Sequence, residues 1–385
     1  MTPEIGGDVA PGFEPVRDVL AASLAAGGDV GASLCVHVGG EKVVDVWGGA
    51  FNRDGSGTYG PDTLQLVYST TKGMTAVCIG ILVDRGVLDY DAAVATYWPE
   101  FAAAGKGDIT VAQLMSHQAG LPVTEVTQAL EDILRWDPVV EALAAQAPMW
   151  EPGTAFGYHA ITYGYLAGEL VRRTDGRSIG RFLADEVAKP LGLDMWIGLP
   201  ESEEHRVSPM IPPPRPTPEE AAILAETMGP GTLGGRALML NDAFLGANGQ
   251  MTWNTRAVHA AEVPAGNGIT NARSLSRMYA ACIGEVDGVR LLTPEVVERV
   301  STRLTFGVDR CLAKEMAFGL GFFVPGPERD LGGPGSFGHA GAGGSLGFAN
   351  PRTGVAFGYV MNKMNANLEG DPRVEALTAA VRSCL

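Results

Sequence analysis

A serine three residues ahead of a lysine, in Ser69-Thr70-Thr71-Lys72, opens a long apolar stretch of this sequence. On a helix, positions i and i+3 share a face, so the Lys72 amine would reach the Ser69 hydroxyl. A serine at a helix start also meets free backbone N–H groups and the positive end of the helix dipole, both of which favour an alkoxide or an oxyanion. Lysine acts as a base only when neutral, and burial or a nearby positive field lowers its pKa toward that state. The chain has only six lysines, and Met74-Thr75-Ala76-Val77-Cys78-Ile79 after this one describes a buried helix, a poor place for an idle ammonium. Taken alone, the spacing also fits a helix-capping serine beside a surface lysine.

Two other segments could serve the same chemistry. In Trp150-Glu-Pro-Gly-Thr-Ala-Phe-Gly-Tyr158-His-Ala160, a turn delivers Tyr158 just ahead of a helical run from Ile161 to Arg173. A phenol bonded to a neutral lysine can take the serine proton and return it to a leaving group; a buried tyrosine that only packs its ring is the alternative. His159 beside it is a candidate for lining the site, or a neighbour with no chemical role. Gly338-His339-Ala340-Gly341-Ala342-Gly343-Gly344 reads as a strand whose small residues let a substrate approach the backbone. A main-chain N–H there could complete an oxyanion hole with that of Ser69, although a glycine-rich hairpin without chemistry has the same composition.

These motifs occur in the order and rough spacing of the serine β-lactamase and penicillin-binding-protein superfamily, which the chain resembles from about residue 15 to its C-terminus. Leu114-Met-Ser-His-Gln-Ala-Gly-Leu-Pro122 and Arg290-Leu-Leu-Thr-Pro294 also resemble structural segments of its class C branch. Within the superfamily the chain is most similar to the family VIII carboxylesterases, esterases built on the class C fold. The resemblance implies an acyl-enzyme on Ser69, with Lys72 and Tyr158 moving protons. It also implies an oxyanion hole from the N–H groups of Ser69 and Ala342, a substrate laid along His339, Ala340 and Gly341, and no metal or cofactor. Two departures bear on the substrate. Class C β-lactamases carry Tyr-x-Asn and Lys-Thr-Gly, whereas Ala160 and His339 stand at the amide and lysine positions here. Both losses weaken the case for an anionic amide and favour a small neutral ester; slight β-lactam activity, an acyltransferase, a D-amino-acid peptidase and an inactive binding relative stay open.

Other patterns carry less. Gly343-Gly344-Ser345-Leu346-Gly347 fits GxSxG, but that motif needs a strand-to-helix turn followed by an acid and a histidine, and no histidine follows His339. Two GxGxxG matches, at Gly229–Gly234 and Gly333–Gly338, lack a strand–turn–helix context. The histidines show no paired metal-ligand spacing, His259-Ala-Ala-Glu262 being the nearest. Met228, Met239, Met251 and Trp253 could wall an acyl pocket, or simply pack.

The elements that must position these residues follow from periodicity. An amphipathic helix is expected over 13–26, then strands over Ala32–Val38 and Lys42–Trp47 around Gly39-Gly40-Glu41, and a short strand over Leu64–Tyr68 running into the Ser69 helix. Residues 90–200 read as mostly helical, 200–270 as loops and short helices over a site. The end returns to strands (Met316–Val324, Gly335–Ala340, Ser345–Asn350, Val355–Asn362) and a helix over Pro372–Cys384. The expected fold is therefore α/β: an antiparallel sheet formed from both chain ends and flanked by helices (1–90 and 270–385), plus an inserted mostly helical domain (91–269) with the site between them.

Composition sets the outer limits. The 385 residues are 46% hydrophobic and 19% charged, the balance of a globular chain. A net charge of -16 argues against nucleic acid and against an anionic membrane surface as partners. No apolar run reaches the roughly 18 residues of a membrane span. The start shows no basic-then-apolar leader, and the five scattered cysteines suit reduced thiols, so a cytoplasmic protein is expected.

Overall fold

The computed structural model describes residues 4–229, 231–246, 249–327, 330–365 and 370–385. Pro230, inside the first GxGxxG match, lies outside the described residues. Strands β1 (Ile5–Val9), β2 (Gly31–Val38) and β3 (Glu41–Gly49) come from the chain start. Short strands β4 (Leu64–Leu66), β5 (Met195–Trp196), β6 (Val207–Ser208) and β7 (Ile269–Thr270) form a small sheet, and β8 (Thr305–Val308) pairs with β9 (Glu315–Phe318) as a hairpin. Strands β10 (Phe337–Ala340), β11 (Leu346–Asn350) and β12 (Val355–Met361) return to the first three. The resulting six-stranded antiparallel sheet runs β1-β3-β2-β12-β11-β10, so both chain ends build it and β10 is an edge.

The sheet is buried on both faces, which is why β2, β11 and β12 read as nearly continuous apolar runs rather than as alternation. Helix α1 (Glu14–Ala25) packs with the C-terminal helix Pro372–Ser383, while the helix Ala272–Ile283 lies on β2, β11 and β12. That last approach is close. Gly347 and Gly358 pair across β11 and β12 beneath it, and a Cβ at Gly358 would sit 2.4 Å from the Ala272 carbonyl oxygen. Helix α2 (Thr71–Asp84), apolar or small from Thr75 to Val83, is buried over Thr71–Leu82 and packs between β10 and the helix Thr162–Asp175.

The structure departs from expectation in a few places. β1 carries Gly6-Gly7, so no apolar alternation announces it; Gly7 has φ of 96°, and a Cβ at Gly6 would strike the Trp47 ring. The strand expected over Leu64–Tyr68 stops at Leu66, and Tyr68–Thr70 form a tight turn ahead of α2. The β-run expected over Met316–Val324 ends at Phe318, where Gly319 and Gly321 turn the chain. Among the described residues, no helix is long and apolar enough to cross a membrane.

Candidate active site

From Thr63 to Leu82 every residue is buried except Ser69, which is half-buried. Its exposure has a backbone cause. Tyr68 adopts φ of 44°, a left-handed conformation that is costly for a tyrosine. The residue is held there by burial, its ring packing edge-on to Trp253 at 5.4 Å, and Trp253 in turn stacks on Phe244 at 4.3 Å. Trp253 thus supports the turn that presents Ser69. The kink lifts Ser69 out of the buried run and leaves it in the first turn at a helix start, where N–H groups lack intrahelical acceptors.

Lys72 lies one turn on, wholly buried, with Nζ 3.1 Å from Ser69 Oγ, 2.7 Å from the Ala160 carbonyl oxygen and 2.9 Å from that of Ala265. Carbonyl oxygens only accept, so two N–H bonds of the amine point at them. In the neutral amine the remaining direction carries the lone pair, and it faces the Ser69 hydroxyl. Burial pushes the Lys72 pKa well below its ordinary value of 10.5. The segment supplying Ala265 is tied along α2 by Thr75, whose hydroxyl donates to Pro264 O at 2.6 Å, and by Thr71, which accepts from Gly268 N–H at 2.8 Å.

Tyr158 is 5% exposed, and the Lys72 amine sits 4.7 Å from its ring centroid. A proton arriving on Lys72 therefore meets a π face. The ring stacks on Phe318 and Phe323, at 6.0 and 6.3 Å, and on His339 at 6.1 Å. Its backbone is fixed by Asp309, whose Oδ1 accepts from the N–H groups of Tyr158 (3.0 Å), Cys311 (2.8 Å) and Leu312 (2.8 Å). Burial raises the Asp309 carboxyl pKa against the pull of those three donors. Nothing in the sequence singles out Asp309, which follows a four-residue strand; only a buried carboxylate beside three N–H groups reveals it.

β10 brings His339, Ala340 and Gly341 to the sheet edge nearest Ser69, and Ala342 is exposed in the turn that follows. His339 is 1% exposed, and its Nδ1 donates to Ala340 O at 2.7 Å with the ring 4.1 Å from Phe323. His159 differs from the expectation that it could touch a substrate. It is fully buried; Nδ1–H donates to Gly157 O at 2.6 Å and Nε2 accepts from Leu121 N–H at 2.9 Å. Both ring nitrogens are used within the protein, so the ring braces the turn that presents Tyr158. His117, with φ of 63°, accepts the His159 N–H on Nδ1 at 3.1 Å and packs against the Tyr158 ring at 5.1 Å. The serine of the GxSxG pattern, Ser345, is 1% exposed and enters a strand, so it has no elbow.

Burial makes these histidines sensitive to acid. The pKa of His159 falls from 6.5 to about 4 by desolvation alone, against a raising bond to Gly157. That of His37, buried in β2 against Ser276, falls from 6.5 to about 4 through desolvation and then the Arg277 and Lys42 charges. The pKa of His117 is also held well below 6.5, chiefly by burial. Below pH 6.5 the unfolded chain binds protons that the fold excludes. The contribution of these histidines to stability is therefore fully present above that value and is lost as pH drops toward about 4, by up to about 1.4 kcal/mol per pH unit per histidine. Urea midpoints at pH 7 and 5 will check this; equal midpoints would contradict it.

The chain resembles known proteins in sequence and in fold. The profile of the family described as Beta-lactamase matches residues 16–380. The "Esterase/beta-lactamase LipL" of Mycobacterium tuberculosis is 38% identical over 346 residues, 87% of this chain and 77% of that protein. A crystal structure of a family VIII carboxylesterase superposes with a TM-score of 0.89 at 41% identity, covering 99% of this chain and 100% of that one. A penicillin-binding-protein homologue from Caulobacter crescentus gives 0.87 at 39%, over 99% and 100% of the two chains.

Proposed function

The chain belongs to the Beta-lactamase family and is a serine hydrolase, and from that premise we propose that it is a carboxylesterase acting on small neutral esters through an acyl-enzyme on Ser69. The observation that carries this reading is the Lys72 amine, buried with no carboxylate partner among the described residues and aimed at Ser69 Oγ at 3.1 Å. Ser69 Oγ attacks the ester carbonyl carbon while its proton passes to Lys72. The carbonyl π pair moves onto oxygen, where the N–H groups of Ser69 and Ala342 receive it. When the tetrahedral adduct collapses, the C–O bond to the alkoxy group breaks and Tyr158 hands that oxygen a proton, restored from Lys72. Water then attacks the acyl-Ser69 carbonyl, giving its proton to the same pair, and the acid departs with Ser69 reprotonated.

The groove between residues 1–90 with 270–385 and residues 91–269 would hold the ester, laid along Ala340 and Gly341 on the edge of β10. Two features favour a neutral substrate. Ala160 and His339 offer neither an amide nor an ammonium to an anionic substrate, and the net charge of -16 repels anions while aiding release of the acid product. A lost lysine contact to a carboxylate, at about 1.5–3 kcal/mol, and a lost amide hydrogen bond, at about 0.5–1.5 kcal/mol, correspond together to roughly 30- to 2,000-fold in selectivity. We therefore expect kcat/KM for p-nitrophenyl butyrate to exceed that for nitrocefin by at least about 30-fold. Equal or faster nitrocefin cleavage would move the enzyme to the β-lactamase branch, the activity that the name of the LipL relative also carries.

A further inference from the structure

Ser345 sits in the GxSxG pattern yet has no place in the mechanism above. We infer that Ser345 and Thr70 are positioning residues, a buried pair of hydroxyls that latches the nucleophile turn to the turn bearing Ala342 and so sets the spacing of the two oxyanion donors. This inference rests on the reading of Ser69 as nucleophile and of the Ala342 N–H as the second donor.

The bonds have a forced direction. Ser345 Oγ lies 2.9 Å from the Val67 carbonyl oxygen, which can only accept, so the single Ser345 hydroxyl proton points there. Thr70 Oγ1 must then be the donor toward Ser345, at 3.0 Å from its Oγ and 3.2 Å from its carbonyl oxygen. That carbonyl also accepts from Gly341 N–H at 2.7 Å, which closes the turn from Gly341 to Ser345 with Ala342 at its outer corner. Val67 and Thr70 flank the half-exposed Ser69, and Thr70 N–H bonds Val67 O at 3.1 Å. The bonds made by the two hydroxyls therefore cross from the segment around one oxyanion donor to the segment around the other, while the two backbone bonds close each turn.

Gly341 shows how tightly the two turns are pressed together. A Cβ there would lie 2.1 Å from Val67 O, 2.3 Å from Ser345 Oγ and 3.0 Å from Thr70 Oγ1. With Thr70 fully buried and Ser345 1% exposed, no substrate reaches either hydroxyl, and the hydrogen bonds the two hydroxyls make among the described residues are to Val67 O, Ser345 O and each other. What they can do is resist sliding of β10 along α2. Oxyanion donors work only within a few tenths of an ångström of their target, and a misplacement near 1 Å costs about 10²-fold in rate.

The test compares Ser345→Ala, Thr70→Val and the double variant with Ser69→Ala, using p-nitrophenyl butyrate kinetics normalised to fluorophosphonate-titrated sites. We expect kcat to fall roughly 10- to 10²-fold in each latch variant with KM within about twofold. Affinity for phenylboronic acid, a tetrahedral mimic, should weaken by the same factor as kcat/KM. The double variant should be little worse than either single one, because both remove one device. Thr70→Ser, which keeps the hydroxyl, should restore most of the rate. Wild-type kcat and boronate affinity per titrated site in Ser345→Ala, with Ser69→Ala inactive, would overturn the latch and leave the nucleophile in place. An inactive Ser345→Ala beside an active Ser69→Ala would overturn the reading of Ser69 itself.

Discussion

Ser69→Ala is expected to lower kcat/KM for p-nitrophenyl butyrate by roughly 10⁴- to 10⁶-fold while leaving the fold intact. The size follows from what the hydroxyl does. Without it no acyl-enzyme forms, and water must attack the ester directly, aided only by the oxyanion donors and by binding. The stability effect should stay within about 0.5 kcal/mol, because Ser69 is half-buried and the change removes a single small hydroxyl whose hydrogen bond is to Lys72. Intact mass after treatment with a fluorophosphonate gives an independent reading: one adduct on the wild type, none on the variant. A variant that keeps more than about a tenth of the rate would place the nucleophile elsewhere.

Much of this site was legible because its parts obey short-range rules. Ser69 and Lys72 are one helical turn apart, and a spacing of three fixes their geometry wherever the helix goes. Tyr158 and the β10 segment came from order and composition together with the family resemblance. The rest depends on contacts far apart in the chain. Ala265 supplies a carbonyl to Lys72 across 193 positions, and Asp309 holds Tyr158 across 151. An alanine contributing its backbone leaves no mark in a sequence, and neither does an aspartate defined by three N–H neighbours. Residues 200–270 read as loops and short helices over a site, with weak periodicity to say which of them matter; in the fold Trp253 supports the strained Tyr68 turn and Pro264–Gly268 lines α2. The fold shows the same division. Strands buried on both faces were visible as apolar runs, whereas β1, with its two glycines, and the four-residue strand β8 had no periodicity to read.

Lys72→Met should reduce kcat/KM by roughly 10²- to 10⁴-fold, the range of a lost general base, with Ser69 still present and slowly labelled by fluorophosphonate. Lys72→Arg should be no better, because a guanidinium stays charged in a site that works with a neutral amine. The pH profile separates this reading from a purely structural lysine. Burial holds the wild-type pKa well below 10.5, so kcat/KM should rise with pH through that lowered value and level off long before a free lysine would titrate. In Lys72→Met the acidic limb should vanish along with most of the rate. Stability carries the matching signature. Between the lowered pKa and 10.5 the unfolded chain binds a proton at Lys72 that the fold sheds, so wild-type stability rises with pH across that window. The variant lacks that contribution, and denaturant midpoints of the two proteins at pH 7 and 9 should move apart accordingly. An unchanged limb in the variant's rate profile would show that some other group receives the Ser69 proton.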